Sequence, residues 1–182
     1  MRFIFLLITG SFLSACGSLA NIDYDSSINF NALKTYSIQL KPVRASSDTR
    51  INSPFMQQRV FDSIAFALQK KGFTKKSKNA GLQVKYYLDV QKDFETEESA
   101  ISVGFGSSGY RSAIGFGFTV PVGETYSVDK LVLTIDMVST KTKKLVWRGS
   151  LAYHIASGST PETNTRMINE LVTEILKDFP PQ

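Results

Sequence analysis

The chain has 182 residues, 42% of them apolar and 20% charged, with 21 Lys and Arg against 16 Asp and Glu. That is the size of one globular domain, large enough to bury a core unaided. One cysteine and one histidine exclude an internal disulfide framework, a multi-cysteine metal centre and a paired-histidine zinc motif.

Met1 and Arg2 supply a short positive start, and an apolar run from Phe3 to Leu13 follows. It is shorter than the roughly 20 residues of a membrane-spanning helix, so it reads as an export signal. It closes on Leu13-Ser14-Ala15-Cys16-Gly17, which resembles the bacterial lipoprotein signal. That resemblance implies cleavage after Ala15, a diacylglyceryl group on the Cys16 thiol and an acyl chain on the new amino terminus. Gly17, standing where inner-membrane lipoproteins often carry Asp, implies the periplasmic side of the outer membrane. The expected division is a signal over 1–15, a lipidated tether over 16–21 and one domain over 22–182. The excess of basic residues is modest and the compartment unsuited to nucleic acid, which is not an expected partner.

Ile22 to Asp25 and Tyr36 to Leu40 read as short strands, the second closed by Pro42. Ser53-Pro54 supplies an N-cap and a proline at the first helical position, and Phe55, Val60, Ile64, Ala67 and Leu68 recur near helical spacing. Lys70-Lys71-Gly72 ends that helix with cations in its last turn and glycine beyond. The further lysines at 75, 76 and 78 read as a solvated loop, with contact to anionic lipid as the alternative.

From Leu82 to Gln91 the apolar period becomes two, the mark of a half-buried antiparallel strand. Asp93, Glu95, Glu97 and Glu98 read as a solvated turn. Leu131 to Met137 and Leu145 to Tyr153 repeat the alternation around a polar turn at Thr140 to Lys143, predicting a hairpin with Trp147 inward and Arg148 outward. Thr160-Pro161-Glu162 opens a second helix whose stripe is Met167, Ile168, Leu171, Val172, Ile175 and Leu176. Strands with two helices predict an α+β, two-layer fold, a single antiparallel sheet with both helices on one face.

Residues 99–123 hold six of the twelve glycines and one charge, Arg111. Ile101, Val103 and Phe105 share one parity, as do Ile114, Phe116 and Phe118, predicting two strands that meet around Ser107 to Arg111. The apolar parity either packs in the core or, with Tyr110 and Arg111 at the tip, meets a partner or lipid. Gly104 to Gly109 matches G-x-G-x-x-G, but the residues after it alternate with period two where a dinucleotide site needs a helix.

No catalytic set assembles: His154 is the only imidazole, and no G-x-S-x-G elbow is present. The expectation is a protein that is not an enzyme, without metal or dissociable cofactor beyond its covalent lipid. It would act as a scaffold or partner-binding domain for an envelope protein, or as a carrier of an apolar molecule between sheet and helices.

Across nearly the whole mature length the chain resembles the DUF4136 family of bacterial envelope lipoproteins. The resemblance rests on Asp23-Tyr24-Asp25, Asn29-Phe30, Leu33-Lys34-Thr35-Tyr36, Lys70-Lys71-Gly72-Phe73, Leu133-Thr134-Ile135-Asp136, Lys144-Leu145-Val146-Trp147-Arg148-Gly149 and Phe179-Pro180-Pro181. It implies a lipid-anchored periplasmic domain and no particular reaction. Ser139 stands where the family often shows a second aspartate.

Overall fold

The computed structural model describes residues 20–44, 46–96, 99–109, 112–122, 125–155 and 158–181, and within 93–128 the backbone alone. Strand β1 (Asn21–Tyr24) leads through a 3-10 turn (Phe30–Ala32) to β2 (Thr35–Ile38) and helix α1 (Pro54–Lys70). Then come β3 (Thr74–Lys75), β4 (Leu82–Thr96), β5 (Ser99–Gly109), β6 (Ser112–Val122), β7 (Thr125–Ser139), β8 (Leu145–His154) and α2 (Pro161–Ile175).

Six strands form one sheet in the order β1-β8-β7-β4-β2-β3, and β5 and β6 pair with each other in the same register that β4 keeps with β7. The expected single antiparallel sheet is thus corrected at β2. It runs parallel to both β3 and β4. After β2 the chain crosses through α1 before returning, and a crossover of that kind delivers a parallel neighbour where a tight turn would deliver an antiparallel one. The remaining pairs, β4 with β7, β7 with β8 and β8 with β1, are antiparallel as expected.

Both helices start as their sequences dictate. Ser53 Oγ accepts the Met56 N–H at 3.1 Å, Thr160 Oγ1 accepts the Thr163 N–H at 3.2 Å, and each helix begins on proline. Gly72, at φ +80°, takes the left-handed conformation that stops α1. The two helices run side by side in the same direction: Arg59 Nε donates to Thr165 Oγ1 at 3.0 Å near their starts, and Lys71 Nζ to the Lys177 carbonyl at 2.9 Å near their ends.

Their stripes bury against one face of the large sheet. Leu82, Val84, Tyr86 and Leu88 of β4 and Leu131, Leu133, Ile135 and Met137 of β7 are at most 4% exposed, and they share one cluster with Val60, Ile64, Leu68, Ile168, Leu171 and Val172. Each such side chain contributes about 1.5–3 kcal/mol of transfer free energy. Burial pushes the Tyr86 phenol up to about 12, and its hydroxyl donates to the Leu40 carbonyl.

Phe55 is a further correction: it is 75% exposed and the neighbouring Met56 turns inward. A residue so close to a helix start sits before the stripe has closed on its partner. Asp93 and Glu95 also depart from expectation, since they continue β4 opposite Val128 and Tyr126; Glu97 and Glu98 lie outside the described residues. In the β7–β8 hairpin the register shifts between Met137 and Val138, and Leu145 is left exposed while Val146 is buried.

An aromatic knot closes one side of the core. The Phe179 ring lies 5.7 Å from Phe30, 5.3 Å from Phe73 and 5.1 Å from Trp147, mostly in edge-on contact. Three of the sequence signatures, Asn29-Phe30, Gly72-Phe73 and Phe179-Pro180-Pro181, therefore meet the Trp147 strand in space.

Candidate functional site

The helices cover one face of the large sheet, and the opposite face carries the polar parity. There the register aligns four charged positions in one row across four strands: Asp23 of β1, Arg148 of β8, Asp136 of β7 and Lys85 of β4. The signs alternate, so each charge has opposite neighbours.

Arg148 and Asp136 form the centre of that row. Arg148 Nε meets Asp136 Oδ1 at 2.7 Å and its Nη2 meets Oδ2 at 2.7 Å, a two-pronged charge-assisted contact. The Asp136 side chain is 4% exposed while that of Arg148 is 48% exposed. The hydrogen bonds that it donates to Asp136 hold the guanidinium above its ordinary pKa, and Asp23 adds to the effect. Burial, followed by the Asp136 carboxylate beside it, raises the Tyr87 phenol. The geometry fixes a cation on the sheet surface with its outer edge open to water, suited to receiving an anionic group rather than to moving a proton.

Trp147-Arg148-Gly149 shows why the residue types alternate. Trp147 points into the core, Arg148 out of it, and Gly149 inward again, beneath the indole. A Cβ at Gly149 would meet Trp147 Cη2 at 2.4 Å, Ile175 Cγ2 at 2.8 Å and Ile22 Cδ1 at 2.9 Å. Ser139 is 5% exposed and its Oγ accepts the Thr142 N–H at 3.3 Å, so the hydroxyl caps the β7–β8 turn as an aspartate could.

Because Asp136 is buried, its partner matters more than a surface charge would. Arg148→Met is expected to cost about 3 kcal/mol by stranding the carboxylate. Replacing both, as Asp136→Leu with Arg148→Met, is expected to recover most of that loss. Urea unfolding of these two variants and of Asp136→Leu alone checks this, and strictly additive losses would show that the two side chains do not act as a pair.

The hairpin candidates divide. Ile101, Val103 and Phe105 lie on β5, and Ile114, Phe116 and Phe118 on β6. The register sets Val103 opposite Phe118 and Phe105 opposite Phe116, with Gly104 opposite Gly117 and Gly106 opposite Gly115. Apolar thus faces apolar and glycine faces glycine along the pair. Tyr110, Arg111 and Cys16 lie outside the described residues. Gly104 to Gly109 is strand throughout and leads into β6, not a helix.

His154 stands opposite Lys130 at the far end of β8 from Arg148. Open grooves of about 920 Å³ and about 750 Å³ lie between β8 and α2 and between the helices, the second bordered by Phe66, Ala67 and Leu176. Among the described residues no group of three His, Cys, Asp or Glu is placed to hold a metal, and no helix is long and apolar enough to cross a membrane.

The row of charges was not foreseen as a unit, although its central pair was within reach: the polar turn at 140–143 sets Asp136 against Arg148. Its outer members, Asp23 and Lys85, need the order of all four strands.

Comparison with known proteins gives a family and distant likenesses among solved structures. The family described as "Domain of unknown function (DUF4136)" matches residues 20–181. No curated protein matches the chain. A PDZ domain protein from Parabacteroides distasonis ATCC 8503 is similar at 11% identity and a TM-score of 0.48, over 91% of this chain and 36% of that one. A PelC dodecamer from Paraburkholderia phytofirmans is similar at 12% identity and a TM-score of 0.47, over 86% of this chain and 95% of that one.

Proposed function

The chain belongs to the DUF4136 family, a domain of unknown function, and from that premise we propose that it is a lipid-anchored envelope domain that binds a partner protein and performs no catalysis. Its anchor is the acylated Cys16, its place the periplasmic side of the outer membrane, and its contact element the β5–β6 hairpin. Apart from its covalent lipid it needs no cofactor.

One observation carries this reading. The hairpin has eleven residues per strand, and among the described residues its two strands pair only with each other, in the register of β4 with β7. A ribbon without a third strand is marginal in water, and its outer edges offer unpaired N–H and C=O groups along both strands. The 99–123 segment carries a single charge to keep such edges apart from other chains. Strand addition by a partner satisfies the backbone and covers the apolar parity together.

The carrier alternative needs space between sheet and helices. Side chains such as Tyr86, Leu133, Trp147 and Leu171, each at most 1% exposed, fill that layer, which weighs against it.

Photo-crosslinking in intact cells from Ser102 and Thr119 is expected to trap one discrete envelope protein, with Gln58 of α1 as the silent control. Fatty-acid labelling of the same cells is expected to vanish in Cys16→Ser. Labelling without a hairpin adduct would leave the anchor standing and remove the hairpin as the contact element.

A further inference from the structure

Where β4 begins, four stretches of chain separated in sequence come to the same end of the large sheet. Tyr36 of β2 pairs with Leu82 of β4, which pairs with Ser139 of β7. The Thr74 N–H donates to the Lys34 carbonyl at 2.9 Å, the Ser139 N–H to the Lys144 carbonyl at 2.9 Å, and Lys71 Nζ to the Lys177 carbonyl at 2.9 Å. The start of β2, the end of α1 with the β3–β4 loop, the β7–β8 turn and the end of α2 therefore form one surface.

That surface is strongly basic. Stretches 25–35, 70–81, 139–145 and 174–181 hold ten lysines, no arginine and three carboxylates, Asp25, Glu174 and Asp178. The excess is larger than the +5 of the whole chain, so the remainder of the chain is net acidic. All these lysines are exposed except Lys71, which is half-buried. Three are steadied by ring faces: Lys34 Nζ lies 4.8 Å from the Phe73 centroid, Lys70 Nζ 4.5 Å from Phe66 and Lys75 Nζ 4.5 Å from Phe61. A ring face orders an ammonium without cancelling its charge, as a carboxylate would.

We propose that this lysine-rich end docks on an anionic phospholipid surface. The charge is complementary, and its asymmetry turns this end toward a negative plane before contact. The residue type matters as well. Lysine is a point charge on a flexible stem, whereas shaped recognition of one phosphate or carboxylate favours the planar fork of arginine. Lysines spread over loops and helix ends suit the diffuse charge of headgroups, and each adds about 5-fold to binding at such a surface. The inference is independent of the hairpin, which lies elsewhere in the chain.

The test uses the whole chain held through its N-terminal segment in nanodiscs of neutral phosphatidylcholine, leaving the domain free. Added vesicles with 30% phosphatidylglycerol are expected to co-sediment it, and pure phosphatidylcholine vesicles are not. The quadruple variant Lys76→Gln, Lys78→Gln, Lys141→Gln and Lys144→Gln is expected to bind at least about 100-fold more weakly. Its unfolding midpoint should not move, since all four side chains are exposed. Equal binding to both vesicle types, or an unaffected quadruple variant, would overturn the proposal. Tighter capture by a soluble polyanion such as polyglutamate than by the charged vesicles would overturn it too, in favour of a polymer partner.

Discussion

Phe179→Ala is expected to remove about 3–5 kcal/mol of stability, a large share of the roughly 5–15 kcal/mol that holds a domain of this kind together. The ring is 1% exposed and touches Phe30, Phe73 and Trp147, side chains from three separate parts of the chain. Its deletion leaves a cavity between partners that sit on a strand, a 3-10 turn and the exit of α1, and these cannot all collapse inward. Phe179→Leu keeps part of the volume and should lose less than half as much. Urea midpoints of the two variants give the comparison. A loss below about 1 kcal/mol for Phe179→Ala would show that the tail contributes little to the core.

Gly149→Ala is the second large effect, expected at about 3 kcal/mol from overpacking. The added methyl has backbone room but no space above it, because the tip of the Trp147 indole occupies the position at 2.4 Å. Neither Trp147 nor Ile175 can yield freely, being buried at 1% exposure each. The mechanism is checked by repeating the substitution in a Trp147→Leu background, where the glycine's near neighbour is gone. The penalty should fall by more than half there. An undiminished penalty would mean that the strand itself, not the indole, resists the side chain.

Both effects explain why so much of this fold is legible in the sequence and so little of its task. The signatures Asn29-Phe30, Gly72-Phe73, Trp147-Arg148-Gly149 and Phe179-Pro180-Pro181 converge on one packing problem, so they specify a core. Helix starts at Ser53-Pro54 and Thr160-Pro161 were legible because a cap is a local event between residues three apart. The β7–β8 hairpin was legible for the same reason. The parallel placement of β2 was not, since alternation reports which face is buried and is silent on the neighbour's direction. The basic end was legible only in part. The lysines at 70–78 stand together in the sequence, but Lys141, Lys143 and Lys144 join them only through the pairing of β4 with β7.

The row of Asp23, Arg148, Asp136 and Lys85 belongs to the same category. Each residue reads as an ordinary polar position on its own strand, and alternation of sign emerges only when four strands are laid in order. It also gives the outer sheet face a fixed pattern of charge, so a strand slipped by one position would turn its charged member of the row toward the buried face.

The pairing of β1 with β8 has a consequence in time. Asn21 finds Ser150 and Tyr24 finds Trp147, so the first strand of the sheet has its partner near the end of the chain. A chain that emerges N-terminus first carries β1 without a neighbour while β4 and β7 are still being delivered. Contacts of such long span form slowly, because the intervening loop must close before they return any stability. The interval during which the first strand stands open is therefore set by how fast the last third of the chain arrives, and that interval is when a nascent molecule is most exposed to pairing with the wrong one.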